Sequence, residues 1–468
     1  MAEVQAIGSL RRSLGPMAVA LLTLSVLSPA ASVFIGGSDI THQAGTGVAL
    51  AFLLGGGLTL IFTFAQAELG SAFPSAGGDY VMIGNTLGPR WGFVSFCLTL
   101  IGAPVFLALT ATGIALYLRV VIPGLPAAPT ALAALALSTG CAMLNVRTGA
   151  IITGLFLAIE LAALALVSVL GLAEPARGLA EVLITPIHFM HGLAQPLSFG
   201  VLAVALASAS WATSGAGQSV YFSEELHNPV QVGRLIIIIT LIAISTMLLP
   251  VLGLVMGAND LPTVLAAESP FAAFIAQRAS PTVAIITSLA IASAIFNANL
   301  AGIICYGRFA YSSGRNHIWS QPINTALVRL HPRLNSPWVA TLAVGVFAMA
   351  FCFLGLRALI IVAAALGIVG WTGLNLGGLI GRRRNLTGRP GAYRAPLYPL
   401  THILSFVGAA WLAVLAWRDT ETGRPGEFFV IGLVIAALLY HQFVLARRPG
   451  GWTMTNPSDA DQTEGSVT

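Results

Sequence analysis

Residues 199–229 read FGVLAVALASASWATSGAGQSVYFSEELHNP, and the middle of this run decides how the chain is built. It opens as an apolar helix suited to a membrane, then places small or hydroxylated residues at every position from Ser208 to Gly215 except Trp211. Ser and Thr compete for backbone hydrogen bonds and Gly loosens the ladder, so a helix with this centre is able to open. Open backbone at membrane depth survives only against protein or a cavity. Small residues also let two helices pack closely, and this stretch alone leaves that alternative standing.

The surrounding composition sets the solvent. Hydrophobic residues make up 56% of the 468 positions and charged ones only 8%, against roughly 25% charged in soluble domains. A crossing takes about 20 apolar residues, so the expected class is an all-α polytopic membrane protein of 12 spans with no large soluble domain. The first apolar run, from Leu14, shows no small-residue cleavage pattern and reads as a retained helix. Cys97, Cys141, Cys305 and Cys352 all fall in apolar runs, which favours packing over disulfides or a metal cluster. No cofactor motif and no metal set emerge.

The net charge of +5 reads as a topology signal, with no nucleic acid implied, and all 22 basic residues are Arg. The N-terminus and every second loop hold sixteen of them, including Arg308, Arg315 and Arg382 to Arg384, and the opposite side holds six. By the positive-inside rule both termini are cytoplasmic, in a multi-pass protein of the cell (inner or plasma) membrane.

Taken in order, span 1 runs from about Leu14 to Gly36 and contains Ser28-Pro29-Ala30-Ala31-Ser32, where Pro29 removes a helical hydrogen bond. The carbonyls near Val26 and Ser28 are expected to lose partners, and the amides after Pro29 to begin a new half-helix; an ordinary proline kink is the plainer alternative. Span 2 (Thr46 to Phe73) ends in the Gly-rich cytoplasmic turn PSAGGDY, residues 74–80, before span 3 rises to about Leu118. Span 4 (Thr130 to Leu144) and span 5 (Ala150 to Leu172) follow, the latter with Glu160 in mid-span. A non-helical outer segment then carries His188 and His191, read as solvated loop residues rather than metal ligands. Span 6 is the opening stretch, followed by spans 7 (Arg234 to Met256), 8 (Pro281 to Tyr311), 9 (Val339 to Leu356) and 10 (Ala358 to Ile380). Two plainer spans complete the set. The expected division is residues 1–13 as a cytoplasmic N-terminus, 14–172 and 196–380 as five-helix repeats flanking an outer loop at 173–195, 381–446 as a cytoplasmic loop with helices 11 and 12, and 447–468 as a disordered tail.

Spans 1 and 6 each open a block of five and each is interrupted near its middle. Paired interruptions of this kind point to the binding site of an inverted-repeat transporter. Half-helix N-termini would offer amides to an anion, and freed carbonyls would offer acceptors to a cation. A molecule carrying both groups suits such a site.

The motifs PSAGGDY (74–80), EELHNP (224–229), YGRFAYSSGRN (306–316) and HPRLNSPWVA (331–340), in this order, resemble those of the amino acid–polyamine–organocation superfamily of permeases. The resemblance implies a leucine-transporter-like fold of five-plus-five inverted repeats with broken helices 1 and 6 and two extra helices. It also implies an amino acid or related amine as substrate. Carried over by position, the substrate's carboxylate would meet the amides around Ala30, Ala31 and Ser32, and its amine the carbonyls near Ser28 and from Ser210 to Ser214. Glycines common in the family's span 1 are replaced here by Ala30 and Ser32, and the aromatic and acid that often follow the span 6 glycine are replaced by Ala216 and Gly217. Trp211, beside Gly215, is then a candidate gate, with packing as the alternative.

Glu160 stands where many proton-coupled members have a lysine. A carboxylate in mid-span is costly, by about 2.5 to 3.5 kcal/mol for acidic or basic groups on insertion scales, so it is expected to face the bundle interior and carry a coupling proton, or to be a permanently paired structural group. Ser288 and Ser293 are candidates for a cation site with span 1 carbonyls; hydroxyls bonded to their own helix are the alternative. Glu224 and Glu225 read first as partners of loop arginines and, with Arg308 and Arg315, second as an inner gate. The reading is a proton-coupled symporter, with an obligate exchanger as alternative and a transporter-like sensor or intramembrane enzyme as different classes.

Overall fold

The computed structural model describes residues 10, 12–143, 146–190, 193–334, 336–421, 423–448 and 452. Asn145, His191 and most of the two expected terminal segments lie outside the described residues. Among those described, nine helical runs are long and apolar enough to cross a membrane, and Ala127–Ala142 and Trp338–Phe351 are shorter apolar helices at spans 4 and 9. The first run, Pro16–Ala72, holds 57 residues; at about 1.5 Å per residue it is more than twice the roughly 30 Å of a hydrocarbon core and has to turn. It does so at Gly45–Gly47, where Gly45 has φ 58° and an added Cβ would stand 2.3 Å from the Ile187 carbonyl oxygen. Counting that run as two crossings and each short helix as one gives the twelve-span reading.

Two sequence expectations change in shape. Span 1 continues past Gly36 to Ala44, through a π-helical turn over Ser32–Gly37. The outer segment after span 5 is partly structured, with a short helix at Leu179–Ile184 and a hairpin of β1 (Ile187–Met190) on β2 (Leu193–Pro196). Thr46 ties this hairpin to the turn, accepting from the Ile187 amide at 2.9 Å. His188 is therefore buried rather than solvated, at 5% exposure.

The core lies where spans 1, 2, 5, 6, 7 and 8 meet, and both broken helices run through it. Spans 2 and 7 (Val48–Ala72 and Val232–Gly257) pack together, as do spans 3 and 8 (Pro89–Arg119 and Pro281–Arg315). Large apolar side chains such as Phe353, Phe199 and Leu155 stay exposed on the outside, as expected of a surface facing lipid.

Candidate functional site

Each break has a local cause. At the first, Pro29 has no N–H, and Ser28 adopts φ 45° and ψ 87°, a left-handed conformation unusual for serine. The amides that would continue the helix are diverted: Ala30 N donates to Glu160 Oε1 at 2.7 Å and Ala31 N to Ser28 Oγ at 3.2 Å. The carbonyls of Ser25, Val26 and Leu27 thus lose their donors one turn on, whereas the Ser28 carbonyl accepts from Ser32 N at 3.0 Å. At the second break, Phe199–Ala212 ends in Thr213-Ser214-Gly215, with Gly215 at φ 125°, and the chain resumes as a 3-10 helix over Ala216–Glu225. Hydroxyls serve the carbonyls at this break: Ser214 Oγ, noted in the sequence, donates to Trp211 O at 2.7 Å, and Thr59 Oγ1, which was not, donates from span 2 to Ser210 O at 2.8 Å.

The breaks face each other. Ser32 Oγ donates to Ala212 O at 2.7 Å, and a Cβ on Gly215 would lie 3.4 Å from Leu27. Leu27, Ser32, Phe106 and Trp211 line two cavities, forming a partition between them. A cavity of ≈ 230 Å³ lies on the side of the partition where the chain enters span 1, and one of ≈ 60 Å³ lies beyond it. Of the candidate binding residues, Ser32, Trp211, Ser214 and Gly215 line the larger cavity and Ala31 the smaller. Ser28, Ala30 and Ser210 are fully buried behind the walls.

Glu160 is the hub of the first break. It is fully buried, and Oε1 accepts from Ser28 Oγ at 3.0 Å as well as from the Ala30 amide. The positive end of the half-helix thus already has an internal carboxylate. Oε2 has no hydrogen-bond partner among the described residues. Ser288 and Ser293 do not share a face: five residues at 3.6 per turn put them about 140° apart. Ser293 Oγ bonds Ala290 O in its own helix. The span 8 side chain that reaches the polar groups beside the break is Asn297, whose Nδ2 donates to Thr153 O at 3.1 Å, an acceptor shared with Ser25 Oγ.

Several lining residues were not singled out in the sequence. Asp79, read there as part of a turn, lines the larger cavity and accepts from Gln66 Nε2 at 3.0 Å. Tyr306, Tyr221 and Trp371 join it. A carboxylate within a membrane protein's motif was the available signal.

The arginines and glutamates noted in the sequence close the near end. Arg308 pairs with Glu225, both nearly inaccessible, and Arg315 binds Glu224 through two nitrogens at 2.6 and 2.8 Å. Glu224 Oε1 also accepts from Ala76 N at 2.8 Å, joining the span 6 exit to span 8 and to the PSAGGDY turn. Leu14 N donates to Glu225 O at 2.9 Å, so the foot of span 1 is tied to the same exit.

A family model described as amino acid permease matches residues 14–446. Asc-type amino acid transporter 1 of Mus musculus is 33% identical over 200 residues, covering 41% of this chain and 37% of that protein. Its namesake in Homo sapiens is 32% identical over 197 residues, covering 40% and 37%. The matched part of this chain spans little more than a third of the length of these relatives.

Proposed function

The chain belongs to the amino acid permease family, and on that premise we propose that it carries an amino acid or a close amine relative across the cell membrane by alternating access, coupled to a proton held by Glu160. The observation that carries this reading is the pair of breaks meeting at a partition with a cavity on each side. Movement of half-helices about Ser28 and Gly215 would open one cavity as it closes the other. The five-helix blocks at 14–172 and 196–380 are the proposed moving halves, with the chain entering span 1 from the cytoplasm.

Glu160 supplies a physical link between proton and hinge. Hydrogen bonds to an ionised acceptor are roughly twice as strong as neutral ones. Proton uptake at Oε2 therefore loosens the grip of Oε1 on Ser28 Oγ and the Ala30 amide, the two groups that define the break. The ion-paired near end must also part for the larger cavity to empty, and both pairs bridge span 6 to span 8.

The test is uptake of radiolabelled leucine, phenylalanine and their decarboxylated amines by proteoliposomes. Saturable uptake supports carriage, and binding without movement identifies a sensor. Counterflow that persists while a pH gradient drives no accumulation identifies an exchanger.

A further inference from the structure

Each side of the partition carries one carboxylate. Among the described residues Asp79 is the one charged residue lining the larger cavity and Asp39 the one lining the smaller, and no ion pair reaches either. A single glutamine amide holds each of them, Gln66 Nε2 on Asp79 Oδ1 at 3.0 Å and Gln43 Nε2 on Asp39 Oδ2 at 2.9 Å. His42, one turn beyond Asp39, bonds the Ala267 carbonyl instead, at 2.9 Å. The walls of the larger cavity are aromatic: Tyr306 meets Tyr221 with ring centroids 6.0 Å apart and Phe106 at 6.3 Å. A carboxylate withdrawn from water among aromatic faces is costly until a cation pairs it, and the rings favour the same sign of charge.

The two charges common to every α-amino acid find partners in backbone at the partition. Gly215 and Gly217 line the larger cavity, and their amides, with that of Ala216 between them, head the half-helix Ala216–Glu225 without an acceptor among the described residues. Amides so placed suit a carboxylate. Leu27 stands in both linings, and its carbonyl, whose donor one turn on is diverted to Ser28 Oγ, suits an ammonium. With both α-groups met by backbone, Asp79 is left over. A neutral side chain would leave it in the cavity without a cation, whereas a cationic side chain pairs it. At ≈ 230 Å³ the cavity is below the 300 Å³ or so at which drug-sized sites begin, so its occupant is small.

We infer that the substrate is a small basic α-amino acid, its side-chain cation anchored by Asp79 and its α-carboxylate held by the amides of Gly215 to Gly217. Asp39 biases the cavity beyond the partition toward the same sign of charge. This rests on the transport reading and narrows its substrate class.

Matched pairs that differ by ammonium against methyl at the end of the side chain test it: ornithine against norleucine, and lysine against 2-aminoheptanoate, titrated on the purified full-length protein by thermal shift. The basic member of each pair is expected to bind at least tenfold more tightly. Putrescine, which is ornithine without its carboxylate, is expected to bind at least tenfold more weakly than ornithine. Asp79→Asn, which keeps an acceptor for Gln66, is expected to narrow the gap between ornithine and norleucine to less than threefold. Equal or tighter binding of norleucine by the wild type overturns the inference with no variant needed, as does putrescine matching ornithine or binding of neither basic amino acid. A tenfold gap retained by Asp79→Asn overturns it as well. Uptake of the same compounds separates the two readings. Carriage of norleucine but not ornithine sinks the basic assignment and leaves transport standing, whereas preferential ornithine binding without uptake of any compound sinks transport and supports the assignment.

Discussion

Glu160→Ala, set beside Glu160→Gln, isolates what the buried carboxylate does for the hinge. The wild-type side chain takes hydrogen bonds from Ser28 Oγ at 3.0 Å and Ala30 N at 2.7 Å, in a place without water access. Alanine leaves the Ala30 N–H buried with no acceptor, a cost of about 1–3 kcal/mol whatever the protonation of the glutamate. Ser28 Oγ still accepts from the Ala31 amide, but its own O–H loses the acceptor it had in Glu160, which adds to the cost. Glutamine has nearly the volume of glutamic acid and keeps an oxygen at the Oε1 position, so it forfeits mainly the charge-assisted half of the bond. At roughly 2 °C per kcal/mol for a large chain, the apparent melting temperature in detergent should fall by roughly 2 to 6 °C for alanine and by less than half as much for glutamine. Scanning fluorimetry of the three proteins side by side reads this. An alanine variant as stable as the glutamine variant would refute the claim that Glu160 closes the first break.

Three further outcomes follow from the same geometry. Gly215→Leu should abolish ligand-induced stabilisation and also cost about 1–3 kcal/mol, because φ 125° strains any side chain there, and its Cβ would already be in van der Waals contact with Leu27; unchanged affinity would remove the second break from the site. Arg308→Ala should destabilise the protein by about 3–5 kcal/mol by leaving Glu225 buried without its cation. The double variant Arg308→Met with Glu225→Gln should recover much of that loss, and a double variant no better than the single would show that the pair is not the cause. Ser288→Ala should leave uptake intact and stability equal or up to about 1 kcal/mol higher, since its buried Oγ has no partner to lose among the described residues, and replacing sodium by choline in the assay should change nothing; sodium-dependent uptake abolished by the alanine would restore a cation site there.

What was legible in the sequence was mainly what the backbone decides locally. Pro29 and Gly215 mark the breaks because a missing N–H and a positive φ are properties of single residues, and the apolar runs reveal the spans because lipid demands them. Glu160 was visible by its cost. Its partners were not, since Ser28 and Ala30 lie about 130 positions away and only packing of span 5 against the break brings them to it. That contact is also why the half-helix amides, free in a local reading, are committed in the fold. Asp79 was overlooked for the opposite reason: the glycines around it read as a turn, and its place in the cavity depends on Gln66 of a different helix. On span 8, the hydroxyls drew notice although Asn297 is the side chain that reaches the carbonyl of Thr153.

The central claim is that the Glu160 carboxyl couples proton movement to the two breaks, and it is tested most directly by accumulation driven by a pH gradient. Proteoliposomes carrying wild type or Glu160→Gln would be given an inward proton gradient and radiolabelled ornithine or leucine, with counterflow measured in parallel without a gradient. The account predicts that wild type concentrates its substrate above equilibrium, while the glutamine variant exchanges substrate but never exceeds equilibrium. Wild-type accumulation by Glu160→Gln would contradict it.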